Sequence, residues 1–164
     1  GRAVGIADVE IASGLDTASN IGGRLARITL ADGTKLIDDS YNANPASIRA
    51  AAQVLLAEPG PKILVIGDMA EIGASSDAMH QALLNDLATL PIAAVFTLGD
   101  RMQRAAAAMA ISPDRVTTFT DIDTLVSALK ARLSPNTTLL IKGSRSMAME
   151  RVIKKLEPTY KGAH

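Results

Sequence analysis

Hydrophobic residues along the chain follow two alternating periods. Short runs of aliphatic and β-branched residues, typical of buried strands, alternate with stretches whose apolar positions recur at i, i+3, i+4 and i+7, as on one helix face. The runs that predict strands are Lys62–Gly67, Ala93–Gly99, Arg115–Phe119 and Thr138–Lys142. The helical pattern covers Ile48–Leu55, Met102–Met109, Ile122–Leu129 and Met149–Leu156, and a further helix is predicted from Asp77 to about Leu87.

Two earlier strands differ from the rest because a short turn joins them. Arg24–Leu30 and Lys35–Asp38 flank Asp32-Gly33, a pair typical of tight β-hairpin turns. After this hairpin, strands and helices alternate with short connections, which predicts a mostly parallel sheet with helices on both faces. The predicted fold class is therefore α/β: a Rossmann-like, doubly wound, mostly parallel sheet with an N-terminal β-hairpin and flanking helices.

The first residues fit this scheme poorly. Ala7–Leu15 could form one helix, but Ser19-Asn20 after it is typical of a linker. We interpret residues 1–21 as the tail of a preceding domain with its linker, and residues 22–164 as the domain itself. An N-terminal helix that packs on this same domain is the alternative.

Composition narrows the function classes. The 164 residues contain no Cys, which excludes disulfides and cysteine nucleophiles and favours a reducing compartment. Lys plus Arg and Asp plus Glu number 17 each, and this neutrality argues against a nucleic-acid partner. No apolar run reaches the roughly 18 to 20 residues of a membrane span. His80 and His164 have no metal-binding spacing, so no metal site is predicted in this chain.

The most informative polar segment is Asp38–Pro45, which follows the second strand of the hairpin. In an open parallel sheet, ligands bind beyond the carboxyl ends of the strands, where this segment is predicted to lie. Asn44 before a proline is typical of a helix N-cap, which explains that pair without a ligand. Asp39 could accept both hydroxyls of a ribose, and Tyr41 offers an aromatic face. A solvated loop is the alternative for Asp39, Tyr41 and Asn42.

A second polar segment, Lys142–Ser146, follows the last predicted strand. It would place a cation, a glycine, a hydroxyl and a guanidinium at the start of a helix, a combination suited to a carboxylate or phosphate. Lys142 and Arg145 would oppose the helix dipole there, which disfavours a purely structural role. The sequence contains neither G-x-x-x-x-G-K-[ST] nor G-x-G-x-x-G, so it lacks the usual means of binding a triphosphate.

Two carboxylates, Asp68 and Glu71, lie in the segment after Lys62–Gly67 and could act as acid, base or ligand-positioning groups. A solvated loop explains them equally well. His80, on the helix that follows, could be catalytic, but capping or packing is the simpler interpretation.

Three segments resemble, in this order, the carboxyl-terminal domain of the Mur ligases. They are Asp38-Asp39-Ser40-Tyr41-Asn42-Ala43-Asn44-Pro45, Gly67-Asp68-Met69-Ala70-Glu71-Ile72-Gly73 with His80 downstream, and Lys142-Gly143-Ser144-Arg145-Ser146-Met147-Ala148-Met149-Glu150. Gly23-Arg24 resembles the entry to that domain, and the resemblance continues in register from about Gly22 to Leu156. The earlier residues resemble the last helix of the family's central ATPase domain.

The resemblance implies a cytoplasmic, ATP-dependent ligase of peptidoglycan synthesis. The Tyr-Asn-Ala-Asn-Pro string favours the members that add D-alanyl-D-alanine to a UDP-N-acetylmuramoyl tripeptide through an acyl phosphate. In this family the phosphate-binding loop and the Mg²⁺ ligands belong to the central domain, and the uridine nucleotide is held by the amino-terminal one. We therefore expect ATP and Mg²⁺ as cofactors, the other two domains as partners, a monomer, and no activity from this domain alone.

The resemblance also assigns roles within the first polar segment. Arg24 and Asp39 resemble residues that contact the nucleotide, with Asp39 at the ribose. Tyr41 lies where the adenosine or acyl-phosphate region would be reached. Asn42 and Asn44 lie where the incoming dipeptide meets the tripeptide tail.

The other two segments receive roles in the same way. Lys142, Ser144 and Arg145 would receive the dipeptide carboxylate or the transferring phosphate. Lys142 and Arg145 are the expected catalytic residues, since their charges could stabilise the tetrahedral oxyanion. Asp68 and Glu71 would orient the amine of the dipeptide.

Three rival interpretations stay open. A sibling ligase that adds a different amino acid would carry a different string after the hairpin. A free-standing nucleotide- or peptide-binding module fits the missing phosphate loop equally well. A flavodoxin-like receiver domain needs an acidic cluster at a strand end and a distant lysine, and Asp39, Asp68 and Lys142 superficially match that set. Such a domain would bind Mg²⁺ in its acidic pocket.

Overall fold

A six-stranded, mostly parallel sheet forms the centre of the fold. The structure is a computed structural model that describes residues 23–70, 73–109 and 114–161. Its strands are β1 (Ala26–Thr29), β2 (Lys35–Asp39), β3 (Lys62–Gly67), β4 (Ala94–Leu98), β5 (Val116–Phe119) and β6 (Thr138–Lys142). Their order in the sheet is β1-β2-β6-β3-β4-β5. The β1–β2 hairpin is antiparallel, and the other four pairings are parallel.

Helices cover both faces of the sheet. In the described part of the chain these are α1 (Pro45–Leu56), α2 (Ser76–Ala88), α3 (Asp100–Ala107), α4 (Ile122–Lys130) and α5 (Glu150–Leu156). The first three pack on one face and α4 and α5 on the other, and each face buries its own aliphatic cluster. This arrangement confirms the predicted α/β class, the doubly wound sheet and the N-terminal hairpin.

The buried helix positions are those that the apolar periodicity selects. Helix α1 buries Ile48, Ala51, Ala52 and Leu55. Helix α4 buries Leu125, Val126 and Leu129. Each fully buried leucine or isoleucine contributes about 1.5–3 kcal/mol through the removal of apolar surface from water.

Several boundaries differ from the prediction by a few residues, and two of these differences affect the packing. Strand β1 begins at Ala26, two residues later than expected, because Gly23 and Leu25 have φ angles of +68° and +56°. Those angles belong to the left-handed region, which an extended strand cannot contain. Helix α3 ends at Ala107, so Met109 packs on the core from outside the helix.

The position of β6 determines where a ligand could bind. Strands β2, β3 and β4 lead into α1, α2 and α3 on one face, whereas β6 leads into α5 on the other. Strand β6 lies between β2 and β3. On each side of β6, the chain therefore continues from the neighbouring strand to one face of the sheet and from β6 to the other face. Open α/β sheets bind ligands at such switch points, beyond the carboxyl ends of the strands.

Two glycines allow Met149 to cover one side of this switch point. Gly67 ends β3 and Gly143 follows β6. A Cβ atom on Gly67 would lie 2.9 Å from Sδ of Met149, and a Cβ atom on Gly143 would overlap its Cγ. Met149 is fully buried over the ends of β3 and β6, which leaves the space beside β2 for a site.

Residues 1–22 lie outside the described part of the chain, so the division at residue 22 stays a prediction. Among the described residues, none of the helices is long and apolar enough to span a membrane.

We predict that Gly143→Ala lowers the free energy of unfolding by about 1–3 kcal/mol, because the added methyl group overpacks Met149. The measurement is urea unfolding, and the Gly143→Ala/Met149→Ala double variant tests the cause. The free energy of unfolding lost in the double variant should be smaller than the sum of the losses in Gly143→Ala and Met149→Ala alone, because the smaller residue 149 makes room for the methyl group. Fully additive losses would contradict this explanation.

Candidate functional site

An open depression of about 270 Å³ lies at the carboxyl edge of the sheet, where β2 and β6 end. It brings together six residues that the sequence singled out: Arg24, Asp39, Tyr41, Asn42, Asn44 and Lys142. Two others, Ser144 and Arg145, follow directly after β6, and Asp68 follows β3. Glu71 lies outside the described residues, so its role stays a prediction.

A buried ion pair closes the floor of this depression. Asp39 and Lys142 are register partners at the ends of the parallel strands β2 and β6. The Lys142 ammonium donates to Oδ2 of Asp39 at 2.7 Å and to the carbonyl oxygen of Asn42 at 2.8 Å. The Lys142 side chain is only 5% exposed and the Asp39 side chain only 12% exposed. The positive charge of Lys142 is therefore already engaged within the domain.

Burial raises the pKa of the Asp39 carboxyl above its ordinary value, although the Lys142 ammonium opposes this shift. The shift means that one ammonium does not fully replace the water that the carboxylate loses on burial. Additional donors at the open rim would stabilise the charged form further. Asp39 is thus suited to accept hydrogen bonds from the hydroxyl groups of a ligand.

The loop after β2 is held by the cap that the sequence predicts. The backbone N–H of Ser47 donates to Oδ1 of Asn44 at 2.8 Å, and the N–H of Asn44 donates to Oγ of Ser47 at 3.0 Å. This capping box precedes Pro45 at the first position of α1, which confirms the helix-start interpretation. The cap uses the side-chain oxygen of Asn44, so the Nδ2 group can still donate to a ligand.

A cation and an aromatic ring form one rim of the depression. The guanidinium carbon of Arg24 lies 4.3 Å from the ring centroid of Tyr41, a cation–π contact. Tyr41 is 47% exposed, and its backbone N–H donates to the carbonyl of Gly23 at 2.9 Å. Gly23 is required there because its φ is positive and a Cβ atom would lie 2.9 Å from the Tyr41 nitrogen.

Sequence reasoning missed a second carboxylate contact beneath this loop. The hydroxyl of Tyr160 donates to Oδ2 of Asp38 at 2.6 Å, and the N–H of Ser40 donates to Oδ1 at 3.0 Å. Burial, together with the hydrogen bond to Asp38, raises the pKa of the Tyr160 phenol, which stays protonated. The partners are 122 residues apart, so no local pattern could have paired them.

The segment after β6 carries one accessible cation. Ser144 is buried, its Oγ lies 3.0 Å from Oγ of Ser146, and its N–H donates to the Asp68 carbonyl at 3.4 Å. The Arg145 side chain is 67% exposed and pairs with Oε1 of Glu150 at 3.1 Å. Of the two predicted catalytic cations, Arg145 is therefore the one that an anion can reach without breaking a buried pair.

Asp68 has a structural partner that the sequence did not reveal. Its carboxylate accepts the backbone N–H groups of Arg101 at 3.1 Å and Met102 at 2.8 Å, which caps α3 from a neighbouring strand. Gly99 precedes α3 and offers no side chain, and a Cβ atom there would overlap the Asp68 carboxyl. This explains the carboxylate without a ligand, and its predicted contact with a substrate amine stays a prediction.

The arrangement can bind a polar ligand. Asp39 can accept hydroxyl groups, Tyr41 and Arg24 can stack on a planar group, and Arg145 can pair with a carboxylate or phosphate. Within 23–70, 73–109 and 114–161, no three His, Asp or Glu side chains group closely enough to hold a metal ion.

Comparison with known families agrees with this geometry. Residues 23–145 match the family described as Mur ligase, glutamate ligase domain, and this match covers well over half of the chain. The chain therefore belongs to the Mur ligase family, as its three polar segments indicated.

Similar curated relatives come from one branch of that family. The UDP-N-acetylmuramoyl-tripeptide–D-alanyl-D-alanine ligase of Escherichia coli strain K12 is 39% identical over 90% of this chain and 32% of its own length. The same enzyme of Bacillus subtilis strain 168 is 35% identical over 95% of this chain and 35% of its own length. The chain thus spans about one third of the length of these relatives.

Solved structures of the same branch share the fold. A crystal structure of MurF from Acinetobacter baumannii matches with a TM-score of 0.77 and 34% identity, over 92% of this chain and 34% of that one. MurF from Thermotoga maritima in complex with ADP matches with a TM-score of 0.73 and 26% identity, over 84% of this chain and 31% of that one. The chain is therefore a Mur ligase carboxyl-terminal domain in fold.

We predict that Lys142→Met lowers the free energy of unfolding by about 3 kcal/mol at pH 7, since it leaves the buried Asp39 carboxylate unpaired. The loss should shrink at pH 4. Without Lys142 the folded pKa of Asp39 rises further, so the penalty grows as pH rises through that pKa and is absent where Asp39 is protonated.

Urea unfolding at the two pH values checks this, and Arg145→Ala is the control. Arg145 is exposed, so its loss should change stability by less than about 0.5 kcal/mol at either pH. An equal effect of both substitutions would contradict the structural role of Lys142.

Proposed function

We propose that this domain completes the active site of a cytoplasmic, ATP-dependent ligase that joins D-alanyl-D-alanine to a UDP-N-acetylmuramoyl tripeptide. The observation that carries the proposal is the convergence of the predicted nucleotide and substrate residues on one depression at the β2–β6 switch point. The names of the similar enzymes support the choice of substrates.

In the proposed reaction a carboxylate oxygen of the tripeptide attacks the γ-phosphorus of ATP, and ADP leaves. The amine of D-alanyl-D-alanine then attacks the acyl carbon, loses a proton, and phosphate leaves as the peptide bond forms. An acyl phosphate hydrolyses when water reaches it, so a domain that closes over the site also protects the intermediate. Holding the amine in line could contribute on the order of 7–11 kcal/mol.

The residues at the depression fit the nucleoside part of ATP. Asp39 would accept the ribose hydroxyls, since burial raises the pKa of its carboxyl and further donors would stabilise the charged form. Tyr41 and Arg24 would hold the adenosine or the phosphate that follows it, through the exposed ring and the guanidinium stacked on it. The ADP complex of the Thermotoga relative supports the use of ATP by the whole ligase.

The dipeptide would meet the loop that follows β2. Asn42 and Asn44 each use their side-chain oxygen in a bond to a nearby backbone N–H, which leaves their Nδ2 groups as donors. Such donors suit the carbonyl groups where the dipeptide meets the tripeptide tail. Asp68 and Glu71 remain weaker proposals for orienting the amine, since Asp68 already caps α3.

Arg145 is the proposed ligand of the dipeptide carboxylate or the transferring phosphate, with Ser144 beside it. An exposed guanidinium can exchange its single bond to Glu150 for a two-bond contact with a carboxylate. Lys142 is neutralised by Asp39, so we expect Arg145 to contribute the larger share of charge stabilisation.

The residues described here do not fit the Mg²⁺ that the family implies, since no acidic cluster exists among them. We propose that the metal ligands and the phosphate-binding loop belong to the remaining two thirds of the ligase, the proposed partners of this domain. We also propose residues 1–21 as the link to those domains, and a monomeric enzyme.

We predict that Tyr41→Ala in the full-length ligase raises the KM for ATP by about tenfold, the loss expected for one aromatic stacking contact. Met79→Ala is the matched control, because Met79 is a large apolar side chain of similar exposure (39%) on α2. Steady-state kinetics and thermal unfolding of both variants check the prediction. An unchanged KM for ATP with Tyr41→Ala would show that the nucleotide binds elsewhere.

We predict that Arg145→Ala raises the KM for D-alanyl-D-alanine by more than about tenfold, because a charge-assisted hydrogen bond is lost. Arg49→Ala is the control, since Arg49 is also an exposed arginine in an ion pair, with Asp86, but lies on α1. If Arg145 binds the dipeptide carboxylate rather than the transferring phosphate, the KM for ATP stays unchanged in both variants. A normal rate at low dipeptide concentration would remove Arg145 from the site.

A further inference from the structure

A buried histidine holds the segment that follows β3, and the proposed reaction does not use it. His80 on α2 is fully buried. Its Nε2 accepts the backbone N–H of Met69 at 3.0 Å, and its Nδ1 donates to the carbonyl of Ser76 at 2.7 Å. Since Nε2 must accept, the ring is neutral with its proton on Nδ1. The simpler sequence interpretation of His80, capping or packing, describes these contacts.

An arginine from the next helix holds the other side of the same residue. Nη1 of Arg101 donates to the carbonyl of Met69 at 3.2 Å and to Oγ of Ser76 at 3.0 Å. Both backbone polar groups of Met69 are therefore bound by side chains, one from α2 and one from α3. The Met69 side chain is itself buried, so its backbone has little freedom to move.

This anchored segment touches the proposed substrate site. The carbonyl of Asp68, adjacent to Met69, accepts the backbone N–H of Ser144 at 3.4 Å. Ser144 precedes Arg145, the proposed anion ligand. A shift of the Met69 backbone would therefore be transmitted through one carbonyl group to the segment that carries Arg145.

We propose that His80 and Arg101 are positioning residues: they fix the backbone of Met69 and, through the Asp68 carbonyl, the place of Ser144 and Arg145. The consequence for the dipeptide rests on the proposed function, whereas the mechanical link between the two segments does not. Neither residue lines the depression that we propose as the site.

Two substitutions of His80 separate its contacts. Gln reaches the position of Nε2 and can accept the Met69 N–H, whereas Asn is shorter and cannot. In the full-length protein, His80→Asn should make hydrogen exchange at Met69 about tenfold faster, as expected for one lost hydrogen bond, and should also speed exchange in residues 143–147. His80→Gln should restore the slow exchange of both segments.

Kinetics of the same variants test the link to the site. His80→Asn should raise the KM for D-alanyl-D-alanine by about tenfold, the effect of one misplaced charge-assisted contact, and leave the KM for ATP unchanged. His80→Gln should restore the value. A role limited to stability would instead lower the amount of active enzyme, and so the apparent kcat, without changing either KM.

Arg101→Ala and Arg104→Ala form a matched pair for the second residue. Both arginines extend from α3 toward the start of α2, but Arg104 pairs with the exposed Asp77. Only Arg101→Ala should speed exchange in residues 143–147 and raise the KM for the dipeptide.

The exchange data decide the inference independently of the proposed function. Unchanged exchange in residues 143–147 with both His80→Asn and Arg101→Ala overturns it, whatever the enzyme makes. If exchange responds as expected but the wild-type protein forms no tripeptide–dipeptide product, the positioning link stands and the proposed reaction fails.

Discussion

The buried contact between Asp39 and Lys142 is the constraint on which the rest of the site depends. It joins the carboxyl ends of two strands that are distant in the chain but adjacent in the sheet, and it also binds the carbonyl of Asn42. Because both charges are removed from water, losing either partner would leave the other as a buried, uncompensated charge, which is costly in free energy. The pair therefore fixes the register at the site and the start of the loop that carries Tyr41 and Asn44.

Around this pair, side chains divide into those that build the edge of the sheet and those that remain available. Asp68 caps α3, and His80 binds the backbone of Met69, so their polar groups are already satisfied. Tyr41 and Arg145 keep exposed groups that a ligand can reach. A rigid edge that presents a few accessible groups reduces the entropy lost when a ligand is ordered.

The sequence predicted what local patterns control. Apolar spacing located the helices, and Asn44 before Pro45 located the start of α1, because capping depends on neighbours within one turn. It could not predict that Lys142 pairs with Asp39, since that contact depends on β6 entering the sheet beside β2. The bond between Tyr160 and Asp38 was missed for the same reason. Sequence reasoning thus singled out residues that meet at one depression, whereas their partners follow from strand order.

The place of β6 also has a kinetic consequence. Among the strands of the described residues it comes last in sequence, yet it lies between β2 and β3, which form no pair with each other. Until β6 is inserted, two inner strands present unpaired backbone edges, and an intermediate with such edges is exposed to wrong pairing or aggregation. Contacts this distant in sequence form slowly because a long loop must close first. During synthesis on the ribosome, the edge of the sheet that carries the candidate site therefore forms late, once residues up to about 142 are free to fold.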